Sequence, residues 1–275
     1  MMKISKFVGT LSLLGCMFAA EQSMQSIPFV VANPSLGFGF RNTAQWAGND
    51  KHSGSQLVYE LGGDLAFRRD LKVNLSYSST GDRKIYPNNF PSLSEIDDFP
   101  REGQTHDSMS DLRIGIGYNL LSLTNSNNHL LFLNAHWITR NVEKDWVYRH
   151  IAWSYELVSI GLEGESAIPT SQSFLGILAG TGSSFMYGAN YKFPIKSTGV
   201  HGFDGLRYQI RGYESEAYLG FSRNVGGNLD IFAKIAFGIS RYGEHIQYTP
   251  STKTKSHYTT VQFGIRGNPF YYLKH

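Results

Sequence analysis

The sequence of 275 residues has little that would support a disulfide-bonded, nucleic-acid-binding or helical membrane protein. It contains one cysteine, so no disulfide framework and no cysteine-based zinc site can form within the chain. Charged residues make up 17% and the net charge is +3, without a run of lysines and arginines, so nucleic acid is not expected as a partner. Beyond the first twenty residues, no apolar run is long enough for a membrane helix. Phosphate-binding glycine loops and helical metal-ligand spacings are also absent, so neither a cofactor nor a metal is expected.

The N-terminus predicts an export signal. Lys3 and Lys6 form a positive start, and residues 7–20 form an apolar stretch that is too short to span a membrane as a helix. Cleavage after Ala20 would define a signal peptide over residues 1–20. Alternatively, Leu-Leu-Gly-Cys at residues 13–16 resembles a lipoprotein box, which would give a lipoprotein signal over 1–15 with Cys16 as the lipidated residue.

What the chain has in quantity is alternation of apolar with polar or small residues. Between Leu229 and Ile239 every odd-numbered residue is apolar, whereas the even-numbered positions include Asp230 and Lys234. Successive side chains of a strand point to opposite faces, so this pattern predicts a strand with one apolar face. Its length of about ten residues is what a tilted strand needs to cross a bilayer.

The same alternation recurs along the chain and predicts an all-β protein of about ten strands. The candidate strands are 35–46, 57–67, 71–78, 112–120, 131–137, 151–162, 174–192, 206–223, 229–239 and 259–266. In the sixth, the apolar positions change phase after Leu157, which predicts a β-bulge. We therefore expect an N-terminal segment over 21–34 and a single barrel over 35–275.

The connections between these strands also alternate. Those after even-numbered strands are short, and those after odd-numbered strands are long and polar. This is typical of a transmembrane up-and-down antiparallel β-barrel with short periplasmic turns and long extracellular loops, inserted in the outer membrane of a Gram-negative bacterium. A soluble up-and-down barrel also alternates, but it needs no aromatic residues at the strand ends. Tyr77, Tyr118, Trp137 and Tyr191 stand at such ends and favour the membrane barrel, with outer-membrane lipids as its surroundings.

If the apolar faces meet lipid, the other faces line the lumen. The charged or titratable residues then expected inside are Arg41, Glu60, Asp64, Lys72, Arg113, His136, Glu156, Glu163, Glu165, Arg211, Lys234 and Arg266. A barrel of about ten strands is narrow, so one interpretation is an internal network of ion pairs that fills it. The other interpretation is a small, porin-like, ion-conducting pore.

Strand number, strand length and loop pattern resemble the omptins, ten-stranded outer-membrane proteases whose strands project beyond the lipid. They also resemble the omptin-like outer membrane proteins of chlamydia-related bacteria. The resemblance implies a site at the extracellular rim, where a histidine oriented by an aspartate activates water opposite a second acidic wall. Residues 95–99, Glu-Ile-Asp-Asp-Phe, match the acidic wall in part through Asp97 and Asp98. His201 matches the histidine, but Gly199 stands where the family has aspartate, and Asp204 is the nearest replacement.

The same resemblance suggests a residue that contacts lipid, and it leads to three hypotheses about the function of the protein. Arg140, near the outer end of the fifth candidate strand, is the residue expected to contact lipopolysaccharide phosphates. The first hypothesis is a surface or structural protein on an omptin-like scaffold that lacks the full catalytic set. The alternative is an omptin-type, aspartic-type endopeptidase with a rearranged site that takes a peptide substrate. A small channel is the third hypothesis.

Overall fold

Eleven strands build the structure, a computed structural model that describes residues 30–47, 50–67, 70–81, 83–85, 105–122, 128–146, 149–168, 182–201, 208–246 and 252–270. The strands are β1 (Val30–Ala47), β2 (Asp50–Phe67), β3 (Leu71–Thr80), β4 (Arg83–Ile85), β5 (Thr105–Asn119), β6 (His129–Trp146), β7 (Arg149–Ala167), β8 (Ser183–His201), β9 (Tyr208–Gly226), β10 (Leu229–Ile246) and β11 (Thr252–Gly267). Among the described residues, no helix has the length and hydropathy to span a membrane.

The strands close into a barrel with ten positions around its wall. Each strand pairs antiparallel with its sequence neighbour, and β1 pairs with β11. β3 pairs with β5, and this pairing closes the ring. The three-residue β4 pairs with the first residues of β5, so β3 and β4 together occupy one position in the ring. Gln56 bridges the interruption between β3 and β4, because its amide donates to the carbonyl oxygens of Gly81 and Asp107 at 3.1 and 3.0 Å. The expected ten-stranded, up-and-down antiparallel barrel is confirmed.

The apolar and polar residues that alternate in the sequence lie on opposite faces of the barrel wall. On β10 the apolar odd-numbered residues Ile231 and Phe237 are exposed, whereas Asp230 and Ser240 on the even face are buried. The apolar face is therefore the outer face and the polar face lines the lumen. A water-soluble barrel would have the reverse arrangement, since its lumen is its hydrophobic core.

The strands are longer than the alternation predicted. The polar stretches 48–55 and 141–150 were expected to be loops, but β1 and β2 are separated by residues 48–49, and β6 and β7 by residues 147–148. These strand ends have polar residues on both faces, so the pattern with a period of two disappears although the strand continues. At the opposite end, β8 begins at Ser183, and the short connection expected before the seventh candidate strand and the first part of that strand lie outside the described residues.

The expected irregularity near Leu157 is present, but it has a different form. Tyr155, Leu157 and Ser159 are all buried, so β7 keeps a single phase. The register instead shifts in the pairing with β8, where Glu156 pairs with Lys196 and Leu157 pairs with Pro194. Proline has no backbone N–H for the ladder, which makes this position of β8 suited to a bulge. The apparent phase change in the sequence arises because two apolar side chains of β7 face the lumen.

Candidate functional site in the barrel lumen

The outer wall carries a continuous band of exposed large apolar side chains. Phe38 is 63% exposed, Phe40 61% and Ile116 58%, and comparable residues occur on the other long strands. Monomeric soluble proteins rarely expose apolar patches of more than a few hundred Å². A closed barrel, by contrast, satisfies its own backbone and can present such a band to hydrocarbon. The chain is an outer-membrane β-barrel. Tyr191 and Tyr213 stack with ring centroids 5.3 Å apart on the outer face, as expected of an interfacial aromatic girdle.

Beyond this band the wall projects on one side of the membrane. On β1 the strand continues from Phe40 to Ala47, and on β10 it continues from Ile239 to Ile246. Seven residues at about 3.3 Å each add roughly 20 Å along the strand. Val30 begins β1 and Gly267 ends β11 at the other end of the barrel, which is the periplasmic end in barrels of this kind. The projecting part is therefore extracellular.

A buried ion-pair cluster crosses the lumen at the base of the projecting part. This upper luminal cluster consists of Asp111, Arg140, Lys192 and Glu214. The Arg140 guanidinium donates from Nε and Nη2 to both Asp111 oxygens, at 2.7 and 2.8 Å. Its Nη1 donates to Glu214 Oε2 at 2.7 Å, and Lys192 Nζ donates to Glu214 Oε1 at 2.5 Å. The side chains of all four residues are buried.

Tyrosines and aliphatic side chains surround this cluster. The hydroxyl groups of Tyr242 and Tyr258 donate to Glu214 at 3.3 and 3.1 Å. Ile138 and Leu157 have no solvent exposure and pack with Tyr155 and Tyr242. Charge-assisted hydrogen bonds in so dry an environment are strong, but only while every charge keeps its partners. The cluster and these side chains lie across the lumen at this level, and Asp111, Arg140 and Lys192 also line the cavity described below.

Further ion pairs follow towards the periplasm. Lys72 Nζ lies 2.5 Å from Glu163 and 3.6 Å from Asp64, and Tyr218 donates to Glu163 at 3.0 Å. Lys234 lies 3.3 Å from Glu60. Each of these layers joins strands three positions apart in the ring, β3 to β7 and β2 to β10. The lumen therefore holds an ion-pair network, as the first of the two interpretations of the sequence expected.

The periplasmic end has a network of its own. Arg266 pairs with Glu165 and lies 3.7 Å from Asp230. The Asn268 amide donates to Asp230 at 2.8 Å, which ties the residues after β11 back into the wall. Phe270, two residues further on, is buried.

A cavity of about 290 Å³ lies within the lumen, among these layers. Its lining includes buried polar atoms without a protein partner, among them Arg113 Nε and the amide oxygens of Asn74, Asn134 and Asn190. Such atoms in a polar cavity are commonly satisfied by ordered water. Among the described residues, no group of three or more histidine, cysteine, aspartate or glutamate side chains is arranged to hold a metal ion.

The residues of the expected catalytic site are placed only in part. His201 is the last residue of β8, at the extracellular end of the barrel, and it pairs with Ala152 of β7. Asp97, Asp98 and Asp204 lie outside the described residues, as does Cys16, the alternative lipidation site.

Arg140 does not lie where the sequence resemblance suggested. Its side chain is 3% exposed, points into the barrel and is held by Asp111 and Glu214. A guanidinium enclosed in this way does not reach lipid phosphates on the outside of the wall. Arg211 and Glu156 were expected in the lumen, but Arg211 is exposed, and Glu156 lies on the outer face of β7 between the luminal Tyr155 and Leu157.

Asp111, Lys192 and Glu214 were missed as luminal residues although the sequence contains a signal for them. Each stands next to an apolar or aromatic residue of the outer face, as Lys192 does beside Tyr191. Strict continuation of the alternation past the apolar band would have placed all three inside. Lys192 pairs directly with Glu214, and Asp111 pairs directly with Arg140, on strands that are consecutive around the ring. The contact that could not be inferred is that of Arg140 with Glu214, because it joins strands that are not neighbours.

Comparison with known proteins gives likenesses to other barrels. No protein-family profile and no curated protein sequence matches the chain. Among solved structures it is similar to the outer membrane protease OmpT of Escherichia coli, with 10% identity, a TM-score of 0.48, and coverage of 90% of this chain and 99% of that one. The transport unit of the autotransporter AIDA-I of Escherichia coli has 12% identity, a TM-score of 0.47, and coverage of 95% and 97%. Neisserial surface protein A has 10% identity, a TM-score of 0.37, and coverage of 86% and 96%. At these identities no function is carried across.

Proposed function

We propose that this protein is a surface protein of the bacterial outer membrane, built on an omptin-like barrel, that neither conducts ions nor cleaves peptides. The observation that carries the proposal is the contact of Arg140 with Glu214. Arg140 lies on β6 and Glu214 on β9, three positions away in the ring, so their ion pair spans the lumen. In such a protein, the projecting wall and the loops are the parts that are exposed at the cell surface.

The buried ion pairs in the lumen argue against a channel. A permeating ion would have to part Arg140 from two carboxylates and Glu214 from two cations in a water-poor environment. Removing one member of a buried ion pair typically costs about 3–5 kcal/mol, so such an opening would be rare. Below it, the pairs of Lys72 and Lys234 present further charges to the same path.

The sequence at the rim argues against full catalysis. Gly199 stands two residues before His201, at the position where the omptins have the aspartate that orients the imidazole. A glycine supplies no carboxylate, and loss of the orienting acid in a catalytic triad typically lowers the rate by about 10⁴-fold. Asp204 follows His201 at a different spacing and would have to act from another direction.

A planar bilayer experiment tests the closed lumen. The refolded wild-type barrel is expected to show no steady conductance. The double variant Arg140→Ala, Glu214→Ala removes the cross-lumen pair and is expected to raise conductance, whereas Arg223→Ala, at an exposed position near the periplasmic end of β9, is the control. Steady ion flow through the wild-type protein would overturn the proposal in favour of a channel.

One observation keeps an endopeptidase as the second candidate. His201 ends β8 at the extracellular end of the barrel, which is where a rim protease needs its general base. The test is cleavage of a dibasic peptide by the refolded protein in detergent with lipopolysaccharide. Turnover by the wild type that is lost in His201→Ala would establish the enzyme and refute the non-catalytic proposal. Absence of turnover in a demonstrably folded barrel supports it.

A further inference from the structure

Arg113 of β5 and Glu216 of β9 are opposite charges that line the luminal cavity and belong to none of its ion pairs. Arg113 Nε is buried and has no hydrogen-bond partner in the protein. Glu216 accepts hydrogen bonds from Tyr258 at 2.7 Å and from Asn190 at 3.4 Å, but no lysine or arginine of the described residues lies within ion-pair distance of it. Arg113 and Glu216 act on each other through space. The lumen thus presents a positive and a negative group to whatever occupies the space between them.

Other cations of the lumen have partners of their own. Lys72 and Lys234 are ion-paired with glutamates. The Arg41 guanidinium donates to Thr260 Oγ1 at 3.1 Å and lies 4.6 Å from the centre of the Tyr258 ring. A charged group removed from bulk water is costly unless it is hydrogen-bonded. An acceptor group placed at Arg113, and an anionic one above all, would therefore stabilise the barrel.

Two asparagine amides beside Glu216 present acceptors to the same cavity. In the register of the wall, Asn134 and Asn190 lie on either side of Gly161, and Asn190 is directly opposite Glu216. The Asn134 amide donates to Glu163 at 3.0 Å, and the Asn190 amide donates to Glu216. These acids fix the orientation of both amides, so that each Oδ1 is turned away from its acid. Both Oδ1 atoms are buried without a protein donor.

This arrangement is complementary to a molecule that carries an ammonium and a carboxylate group. An ammonium has three donors and no acceptor, which suits Glu216 and the amide oxygens of Asn134 and Asn190. A carboxylate accepts paired hydrogen bonds from a guanidinium, which suits Arg113. Water satisfies hydrogen bonds in a polar cavity but brings no charge to Arg113 or Glu216. A zwitterion satisfies the hydrogen bonds and both charges.

The cavity also has an apolar wall. Leu130, Phe132, Met186 and Phe232 line it near the periplasmic ends of β6, β8 and β10. Sites for small molecules typically combine such apolar walls with a few polar groups that fix the orientation of the ligand. The cavity volume of about 290 Å³ corresponds to roughly ten water molecules, which is enough for a molecule the size of an amino acid.

We propose that the luminal cavity binds a small zwitterion, an α-amino acid with an apolar side chain. Its ammonium lies at Glu216 and the two amide oxygens, its carboxylate lies at Arg113, and its side chain lies against the apolar wall. The lining runs from the upper luminal cluster to Gly267 and Pro269, so the site is on the periplasmic side of that cluster. The proposal does not rest on the absence of conductance or of peptide cleavage, because the ligand need not cross the cluster.

The test is binding of L-leucine to the refolded full-length barrel, compared with two derivatives that each lack one charge. N-acetyl-L-leucine keeps the carboxylate, and L-leucinamide keeps the ammonium. Isothermal titration calorimetry in detergent, with ligand up to about 10 mM, measures affinity. Urea unfolding of protein refolded with each compound present measures stabilisation, so that a ligand enclosed during folding is also detected.

Three variants accompany the wild type. Arg113→Gln and Glu216→Gln each remove one luminal charge. Arg211→Gln is the matched control, because Arg211 is exposed on the outside of the projecting wall. Circular dichroism establishes that each variant is folded, and the comparison of the three compounds on the wild type remains decisive where a variant does not fold.

The expected result depends on both charges of the ligand. L-leucine binds the wild type at least about tenfold more tightly than either derivative does, because each derivative lacks one charge-assisted contact. Arg113→Gln lowers the affinity for L-leucine by about tenfold or more and leaves that for L-leucinamide unchanged. Glu216→Gln has the same effect on L-leucine and leaves N-acetyl-L-leucine unchanged. Arg211→Gln binds all three compounds as the wild type does.

Three outcomes would overturn the proposal. If L-leucine neither binds nor stabilises the wild type, the cavity holds water alone. Equal affinities for L-leucine and both derivatives would show that the site does not recognise the two charges. Full binding of L-leucine by Arg113→Gln and Glu216→Gln would place the ligand elsewhere on the barrel.

Discussion

Nη1 of Arg140 lies 2.7 Å from Oε2 of Glu214, although the two residues stand on strands three positions apart in the ring. The contact is possible because a ten-position barrel is narrow enough for one arginine side chain to reach across it. Asp111 and Lys192 complete the charge balance, so that two acids and two bases are buried together. This pair links two non-adjacent parts of the wall through the lumen.

Glu214→Gln is expected to destabilise the barrel more than Glu60→Gln. The first change leaves Arg140 and Lys192 short of a negative partner in a buried cluster, and a loss of about 3–5 kcal/mol in the free energy of unfolding is expected. The Glu60–Lys234 pair is about a quarter exposed on both sides, so its loss should cost less, about 1 kcal/mol. Urea unfolding in lipid vesicles, followed by tryptophan fluorescence, measures both. Equal effects would contradict the importance of burial.

Tyr258→Phe is expected to weaken the same cluster through its hydroxyl group. That hydroxyl donates to Glu216 at 2.7 Å and lies 3.1 Å from Glu214. Removing it leaves a buried carboxylate with one donor fewer, at a cost of about 1.5–3 kcal/mol. Tyr191→Phe is the control, because Tyr191 is exposed on the outer face. If both variants unfold at the same urea concentration, the hydrogen bonds to the luminal acids contribute nothing measurable.

Gly238→Ala is expected to displace Tyr258, whereas Gly243→Ala on the same strand should be tolerated. A Cβ atom at Gly238 would stand 2.0 Å from the Tyr258 ring, while at Gly243 the nearest atom is 3.9 Å away. Overpacking of this kind costs about 1–3 kcal/mol. The same unfolding measurement compares the two variants. A Gly238→Ala protein as stable as Gly243→Ala would show that the tyrosine ring can move without penalty.

A charge placed in the middle of the apolar band should be costly. Ile235 lies near the centre of the exposed apolar row of β10, and Ile235→Arg is expected to lower the free energy of unfolding by about 2–4 kcal/mol. Asn42→Arg, at an exposed outer position on β1 above Phe40, should cost at most about 1 kcal/mol. Folding yield into vesicles and unfolding in urea distinguish them. Similar costs would mean that the band does not face hydrocarbon.

Much of the fold is readable from local alternation, as β10 illustrates. Its odd-numbered apolar residues are those that the wall exposes, and the even-numbered Asp230 and Lys234 face inward. The pattern fails where both faces of a strand are wet. The outer part of β2 was read as a loop for that reason, although it pairs with β1 as far as Asp50 opposite Ala47.

The candidate sites were harder to predict from the sequence than the fold was. Alternation alone is enough to place Arg140 on the face opposite Trp137, and hence inside the barrel. The expected lipid contact instead followed from a resemblance, whereas the Arg140 side chain is buried and paired inside the barrel. The exposed cations Arg211, Arg241 and Lys255 lie on three different strands, and only the register of those strands brings them together.

The sequence by itself determined the class of protein, the number of strand positions and the face of each central strand that meets lipid. These properties depend on the two-residue period of the strand and on the requirement that hydrocarbon meet apolar side chains. The tertiary structure alone decided that Arg140 reaches Glu214, because that contact depends on how the closed ring sets β6 across from β9. A period of two specifies the face of the sheet for each residue, whereas closure and register specify which residues meet across the lumen.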